Sequence, residues 1–515
     1  MGIYVAELRF FDDTSIPGYP AEFAATRYLS SAPFVTGATD TPPHIAFEPR
    51  ITQPALLRRD VFEGGVTGVS RVAYGELVLA NPDGALDGLL DRKLPGHEVV
   101  IRYGTPGTAY PAAWTTVLTG QSAGVTVGWT TLSVKLRDPH QALTLPLQKN
   151  KYGGTNVLPA GIDGTANDLK DQAKPLLYGR ALNIAPPCVN TSKLIYQVND
   201  GAAVVSAVYD KGVALTAETA YASQAEMEAT APSPGFYIAW PAGGCLRLGS
   251  TPAGTITVDA AQTSTAANHT AAQLLKAIAL KAGVASGSIS SSDVTALDTA
   301  NNAELGLWLN SGETAQAAMD ALAVSVGAWY GFDALGVLRM RQMTAPSGTP
   351  VLDLTTKNIL GTPELRAIGA ASSGAFYTRA ECRYARNWTV QQESDLAGSV
   401  TSERRAWLRQ EWRTRQKFES AEGYAIDTPY AFDALFLSET AAATELERRF
   451  WLLYGRHDTL AVAAAVQTLL GASIDLGSVV RVTLPRFGYS AGVLFRVIGM
   501  QYDLRRNRVD LTLWR

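Results

Sequence analysis

The chain has 515 residues, 46% of them hydrophobic, and carries a formal net charge of −3. That length and apolar content predict several folded domains rather than a disordered polymer, and the near-neutral balance excludes a general polyanion binder. Its three cysteines, Cys188, Cys245 and Cys382, are far apart and form no CxxC, which argues against a disulfide scaffold or a cysteine zinc site and for assembly in a reducing cytoplasm.

Residues 1–150 alternate strand-like runs with turn signals, as in "RVAYGELVLA" (71–80) running into "NPDG" (81–84). The start, "MGIYVAELRFFDD", has no basic stretch before an apolar core, so no secretory signal is expected, and Ala6 breaks the myristoylation pattern. Residues 150–187 are rich in Gly and Pro and are expected to form a connector. Strand patterns continue through 193–200, 204–216 and 254–261.

Helical periodicity then appears. "HTAAQLLKAIALKAG" (269–283) places Leu274, Leu275 and Ile278 on one face, with Thr270 and Gln273 as a capping box and Gly283 as the stop. A second helix is expected over about 312–327, followed by a hairpin turning at "DALG" (333–336). Strands return at 379–391 and 403–418. A last helix, about 439–454, leads to a closing β unit whose final hairpin turns at "RRNR" (505–508), with Asn507 taking positive φ. In that hairpin Leu494, Ile498, Met500, Tyr502 and Leu504 are expected on one face. Its last strand is expected to pair inside a closed barrel.

The fold class predicted is α+β, mainly β, with β-rich ends around an α+β middle. The divisions are 1–150, 151–265, 266–345, 346–437 and 438–515. No apolar run approaches the ~20 residues that a membrane span requires.

Motifs that suggest chemistry are weak. "GQSAG" (120–124) matches a nucleophile elbow at Ser122, but strand rather than helix follows it. Asp83, Asp87 and Asp91 are four apart, unlike a calcium loop. His44, His97, His140, His269 and His457 form no zinc motif. We expect no catalytic, metal-binding or cofactor-binding residue. In the stretch "ERRAWLRQEWRTRQKF" (403–418), a single strand would align Arg405, Trp407, Arg409, Arg413, Arg415 and Lys417 on one basic face. Such a face suits a subunit interface, or contact with DNA passing through a channel. A cell-wall hydrolase using Ser122, and a glycan-binding module built on "GFYIAWPAGG" (235–244), are the competing readings.

Several segments together resemble the hub or tail-tip proteins of long-tailed bacteriophages and gene-transfer-agent tails. They are "GELVLANPDGALDGLL" (75–90), "KPLLYGRALNIAPP" (174–187), "AMDALAVSVGAWYGFDALGVLRM" (318–340), "RYARNWTVQ" (383–391) and "IDLGSVVRVTLPRFGYSAGVLFRVIGMQYDLRRNRVDLTLW" (474–514). The resemblance implies a non-enzymatic virion subunit with two barrel-like domains, forming a ring, commonly a trimer, that imitates the sixfold tail tube. It implies as neighbours the distal tail protein, the central fibre or tip proteins and the tape measure protein, with DNA passing through the enclosed path. Residues 190–265 resemble the family least.

Overall fold

The computed structural model describes residues 2–11, 24–62, 66, 71–137, 139–368, 377–419, 428–472 and 474–515. About 41% of it is strand and 19% helix, so the chain is mainly β with an α+β centre. Asp12, Asp13 and parts of the expected 1–150 and 346–437 regions lie outside the described residues.

The first sheet has seven antiparallel strands in the order Ala24–Ser30, Ile3–Phe11, Glu98–Gly104, Thr115–Val127, Thr131–Arg137, Glu76–Ala80, Ile51–Gln53. Period-two alternation drives it: Leu77 and Leu79, then Leu132, Val134 and Leu136, turn inward. The NPDG turn forms where expected, with Gly84 at φ 68°. The sheet curls until its ends meet. Glu48, just before one edge strand, accepts the Ser30 amide at 2.7 Å and donates to Tyr28 at 2.9 Å on the other edge.

The closing sheet runs Leu352–Thr355, Val479–Thr483, Val493–Asp503, Arg508–Trp514, His457–Ala465, Ile359–Ile368. Its two outermost strands are consecutive in sequence and separated only by residues 356–358. A turn in which the Asn358 amide donates to the Thr355 carbonyl at 3.1 Å joins these two strands, and the sheet curls into a half-barrel. Asn507 takes φ 52° at the hairpin turn, as expected. The expected one-face array is corrected by a bulge between Val497 and Gly499, which switches the alternation. Phe495 and Val497 face inward before it and Met500 and Tyr502 after it, while Leu494 is only half-buried.

The two barrels are not independent. Strand Leu56–Asp60 leaves the first barrel and pairs with Val493–Asp503, placing Arg59 opposite Met500. One apolar core joins them, from Leu8, Leu77 and Val134 to Leu460, Val497 and Leu511.

Between the barrels, helices Ala271–Ala282, Ser291–Ala300 and Ala315–Ser325 pack with the hairpin Ala328–Phe332/Leu338–Gln342 around Leu275, Ile278, Met319, Leu322 and Phe332. Thr270 caps the first helix as expected. Gln273 does not close the box; its side chain bonds Asp298 at 2.5 Å instead. The strands of 346–437 divide: 352–355 and 359–368 enter the closing barrel. Tyr377–Tyr384, Arg413–Phe418 and Thr428–Asp433 form a separate sheet beside helix Glu439–Leu453.

The expected connector also contains more structure than its glycines suggest. Leu176–Ile184 is a buried strand between Ile256–Ala261 and Gly306–Leu309, because Leu177, Ala181 and Ile184 fill a small core with Val258 and Trp308. Residues 188–248 supply a second five-stranded sheet packed on it.

Candidate interaction surface

The motifs that suggested chemistry resolve into structure. Ser122 sits inside the continuous strand Thr115–Val127, fully buried, and its hydroxyl donates to the Leu94 carbonyl at 2.8 Å. A nucleophile must present its oxygen to a substrate, and this one is spent on backbone. Asp83 pairs with Arg50 at 2.8 Å, whose hydrogen bonds hold its carboxyl well below the usual range, and Asp87 accepts from Asn81 at 2.7 Å. No group of three His, Cys, Asp or Glu residues among the described residues could hold a metal ion. His269 pairs with Glu304 at 2.8 Å, and His457 stacks on Trp514. Burial pushes the Cys245 and Cys382 thiols up to about 12, which leaves them protonated and unreactive at neutral pH. Tyr237 and Ile238 of the aromatic 235–244 stretch belong to the core.

The 403–418 stretch is not one strand, and this corrects the expected basic face. Thr401 caps a helix, Ser402–Leu408, by accepting from the Arg404 amide, and Glu403 lies in its first turn, where the helix dipole favours an acid. The strand begins only at Arg413. Arg405 and Trp407 therefore lie on the helix, Arg409 at its end, and Arg413, Arg415 and Lys417 on the strand. No single face holds all six.

Each segment has its own anchor. The helix buries Leu408 against Leu396 and Val400. Arg404, which the alternating pattern did not single out, lays its guanidinium 3.7 Å over the Tyr209 ring and donates from Nε to the Gly212 carbonyl at 3.1 Å. The helix thus clamps the hairpin Val204–Asp210/Val213–Ala214. Only the Thr401 cap, three residues before Arg404, signals this in sequence.

The electrostatics are balanced. Arg405 and Arg409 both reach Glu393. Arg415 pairs with Glu439 at 2.9 Å, and Lys417 reaches Glu419 at 3.3 Å and Glu447 at 3.4 Å. The hydrogen bond to Glu419, reinforced by Glu447, holds the Lys417 ammonium above its ordinary value. A phosphate-gripping face needs cations in excess of their acids, and four of these five cations already have carboxylate partners. What remains is an edge strand, Arg413–Phe418, exposed along nearly its whole length, with Phe418 59% and Trp451 51% exposed beside it. A strand edge that is unpaired among the described residues and has aromatic neighbours is chemistry for protein contact.

Comparison with solved structures finds distant likenesses. The tail protein from Neisseria meningitidis MC58 shares 12% identity, with 92% of this chain and 93% of that chain covered and a TM-score of 0.41. A chain in the virion of a native gene transfer agent particle shares 15% identity over 68% of this chain and 85% of its own, with a TM-score of 0.42. The 43 kDa tail protein of prophage MuSo2 from Shewanella oneidensis shares 10% identity over 91% and 95%, at 0.38. The chain is similar to proteins of phage-type tails. No protein-family model and no curated protein sequence matches it.

Proposed function

We infer that the chain is a structural subunit of a phage-type tail tip. In this reading it forms the ring-shaped hub that joins the distal tail tube to the central fibre or tip proteins, and it acts without catalysis in the assembled virion. The observation that carries the reading is the pair of curled sheets locked by Leu56–Asp60 into one core. Two rigidly coupled barrels in one subunit let three copies offer six similar units to a sixfold tube, as the sequence resemblance implies. The tail-like phrase at 75–90 supplies strand Glu76–Ala80 to the first sheet, and that at 474–514 supplies Val479–Thr483, Val493–Asp503 and Arg508–Trp514 to the second.

The distal tail protein, the tape measure protein and passing DNA are neighbours in this reading, and the Arg413–Phe418 edge is a subunit-facing surface. Measuring the mass of the purified protein and the protein content of isolated tails tests it. A multimer present in tails is expected. A stable monomer absent from tails would overturn it.

A further inference from the structure

At one end of the closing sheet, the starts of His457–Ala465 and Val493–Asp503 meet Arg515, just after Arg508–Trp514, around an open cleft of about 400 Å³. Arg456, Asp458, Phe487, Tyr489, Val493 and Arg515 line it. Among the described lining residues Asp458 is the one acid, and its side chain is 4% exposed. Arg456 reaches the Asp458 Oδ1 through Nε at 3.2 Å and Nη2 at 3.0 Å. Arg515 reaches Oδ2 through Nε at 3.1 Å, and the buried Tyr489 hydroxyl donates to the same oxygen at 2.8 Å. Both guanidiniums are thereby oriented. Their side chains are still 64% and 44% exposed, which leaves amino groups open to a second acceptor.

The connection between Val479–Thr483 and Val493–Asp503 supplies the other wall. The Tyr489 amide donates to the Arg486 carbonyl at 3.1 Å, closing a tight turn with Phe487 at φ 64° and Gly488 at φ 80°. Positive φ suits the glycine but strains a phenylalanine, and backbone strain of this kind clusters at ligand clamps. The turn leaves Phe487 41% exposed on the cleft, with the Arg486 guanidinium 5.6 Å from its ring centroid. Three guanidiniums thus gather around one buried carboxylate and one exposed ring. A surplus of positive charge converging on one point suits a single carboxylate, held by paired N–H donors. A nucleic-acid strand instead requires cations spread along its backbone.

We propose that this cleft receives an acidic peptide segment of a partner protein, one in which an Asp or Glu adjoins an apolar residue. The carboxylate accepts from Arg456 and Arg515, and the apolar neighbour packs on Phe487 and Val493. The contact goes beyond the ring reading and does not depend on it.

The test titrates the full-length protein into a short fluorescein-labelled peptide alternating Glu and Leu, followed by anisotropy. The same peptide with Gln in place of Glu, and a labelled oligothymidylate, are titrated beside it. The Glu peptide is expected to bind at least about tenfold tighter than either. Arg456→Gln and Phe487→Gly are each expected to weaken it about tenfold, with the melting temperature of Phe487→Gly no lower than that of the wild type. No binding of the Glu peptide, or binding indifferent to the Gln peptide's lost charge or to Arg456→Gln, overturns the proposal. Tighter binding of the oligothymidylate, lost in the same variants, overturns the peptide partner in favour of a nucleic acid.

Discussion

Glu445 lies on helix Glu439–Leu453 with its carboxylate almost wholly buried between Arg448 at 2.6 Å and Arg449 at 2.5 Å. Burial by itself raises such a carboxyl, but the two guanidiniums outweigh it and hold the group below its ordinary range. Removing its charge strands the buried Arg449. Glu445→Gln is therefore expected to cost about 3–5 kcal/mol in a urea titration. The pH dependence has a definite sign. A carboxyl whose folded value is lowered contributes fully above its unfolded value of about 4.3, and that contribution drains away as pH falls further. The wild type should lose stability on acidification below about pH 4 more steeply than Glu445→Gln. Gly306 tests close packing: it faces Gly179 across a strand pair, and a Cβ there would run into the Arg180 carbonyl. Gly306→Ala is expected to destabilise by about 3 kcal/mol in the same titration, whereas exposed Gly287→Ala, with open space around it, should barely register.

Among the elements, those with a wide apolar face and explicit caps were legible from sequence. Ala271–Ala282, Ala315–Ser325 and Glu439–Leu453 form within a few residues of expectation, because each buries three or more side chains at helical spacing behind a Thr or Ser cap. Ser402–Leu408 and Ser291–Ala300 were not. The first buries only Leu408, and the second little beyond Val294 and Leu297, so the caps at Thr401 and Ser290 were the usable signals. The basic surface was misjudged for the same reason: an Ala406/Leu408 alternation imitates a strand. The Arg404 clamp then makes a prediction at this scale. Arg404→Ala should lower stability by about 1–2 kcal/mol, from the lost stacking and hydrogen bond. It should speed amide exchange in 204–214 and 402–408. Unchanged exchange there would show that the helix docks by Leu408 alone.

At the scale of the whole molecule, the decisive feature is non-local. Leu56–Asp60 was not singled out by the sequence pattern, and nothing in its neighbourhood announces a partner more than four hundred residues away. The closing strand, expected to lie inside a barrel, is more central than the pattern could show. Arg508–Trp514 pairs with Val493–Asp503 on one side and His457–Ala465 on the other. Deleting 509–515 removes Val509, Leu511 and Leu513 from the shared core and leaves the facing edges of Val493–Asp503 and His457–Ala465 unpaired. Soluble, folded protein is expected to be lost, which expression and a melting scan would check; tails that still form normally would contradict this.

The central claim is that this pair of coupled barrels is a ring subunit at the end of a tail tube. A cryo-EM reconstruction of the tail tip from particles carrying this chain tests it most directly. The account predicts a ring of copies capping the tube, with both barrels of each copy facing the tube's subunits. A tail tip with no density for the chain, or with a single copy off the tube axis, would contradict it.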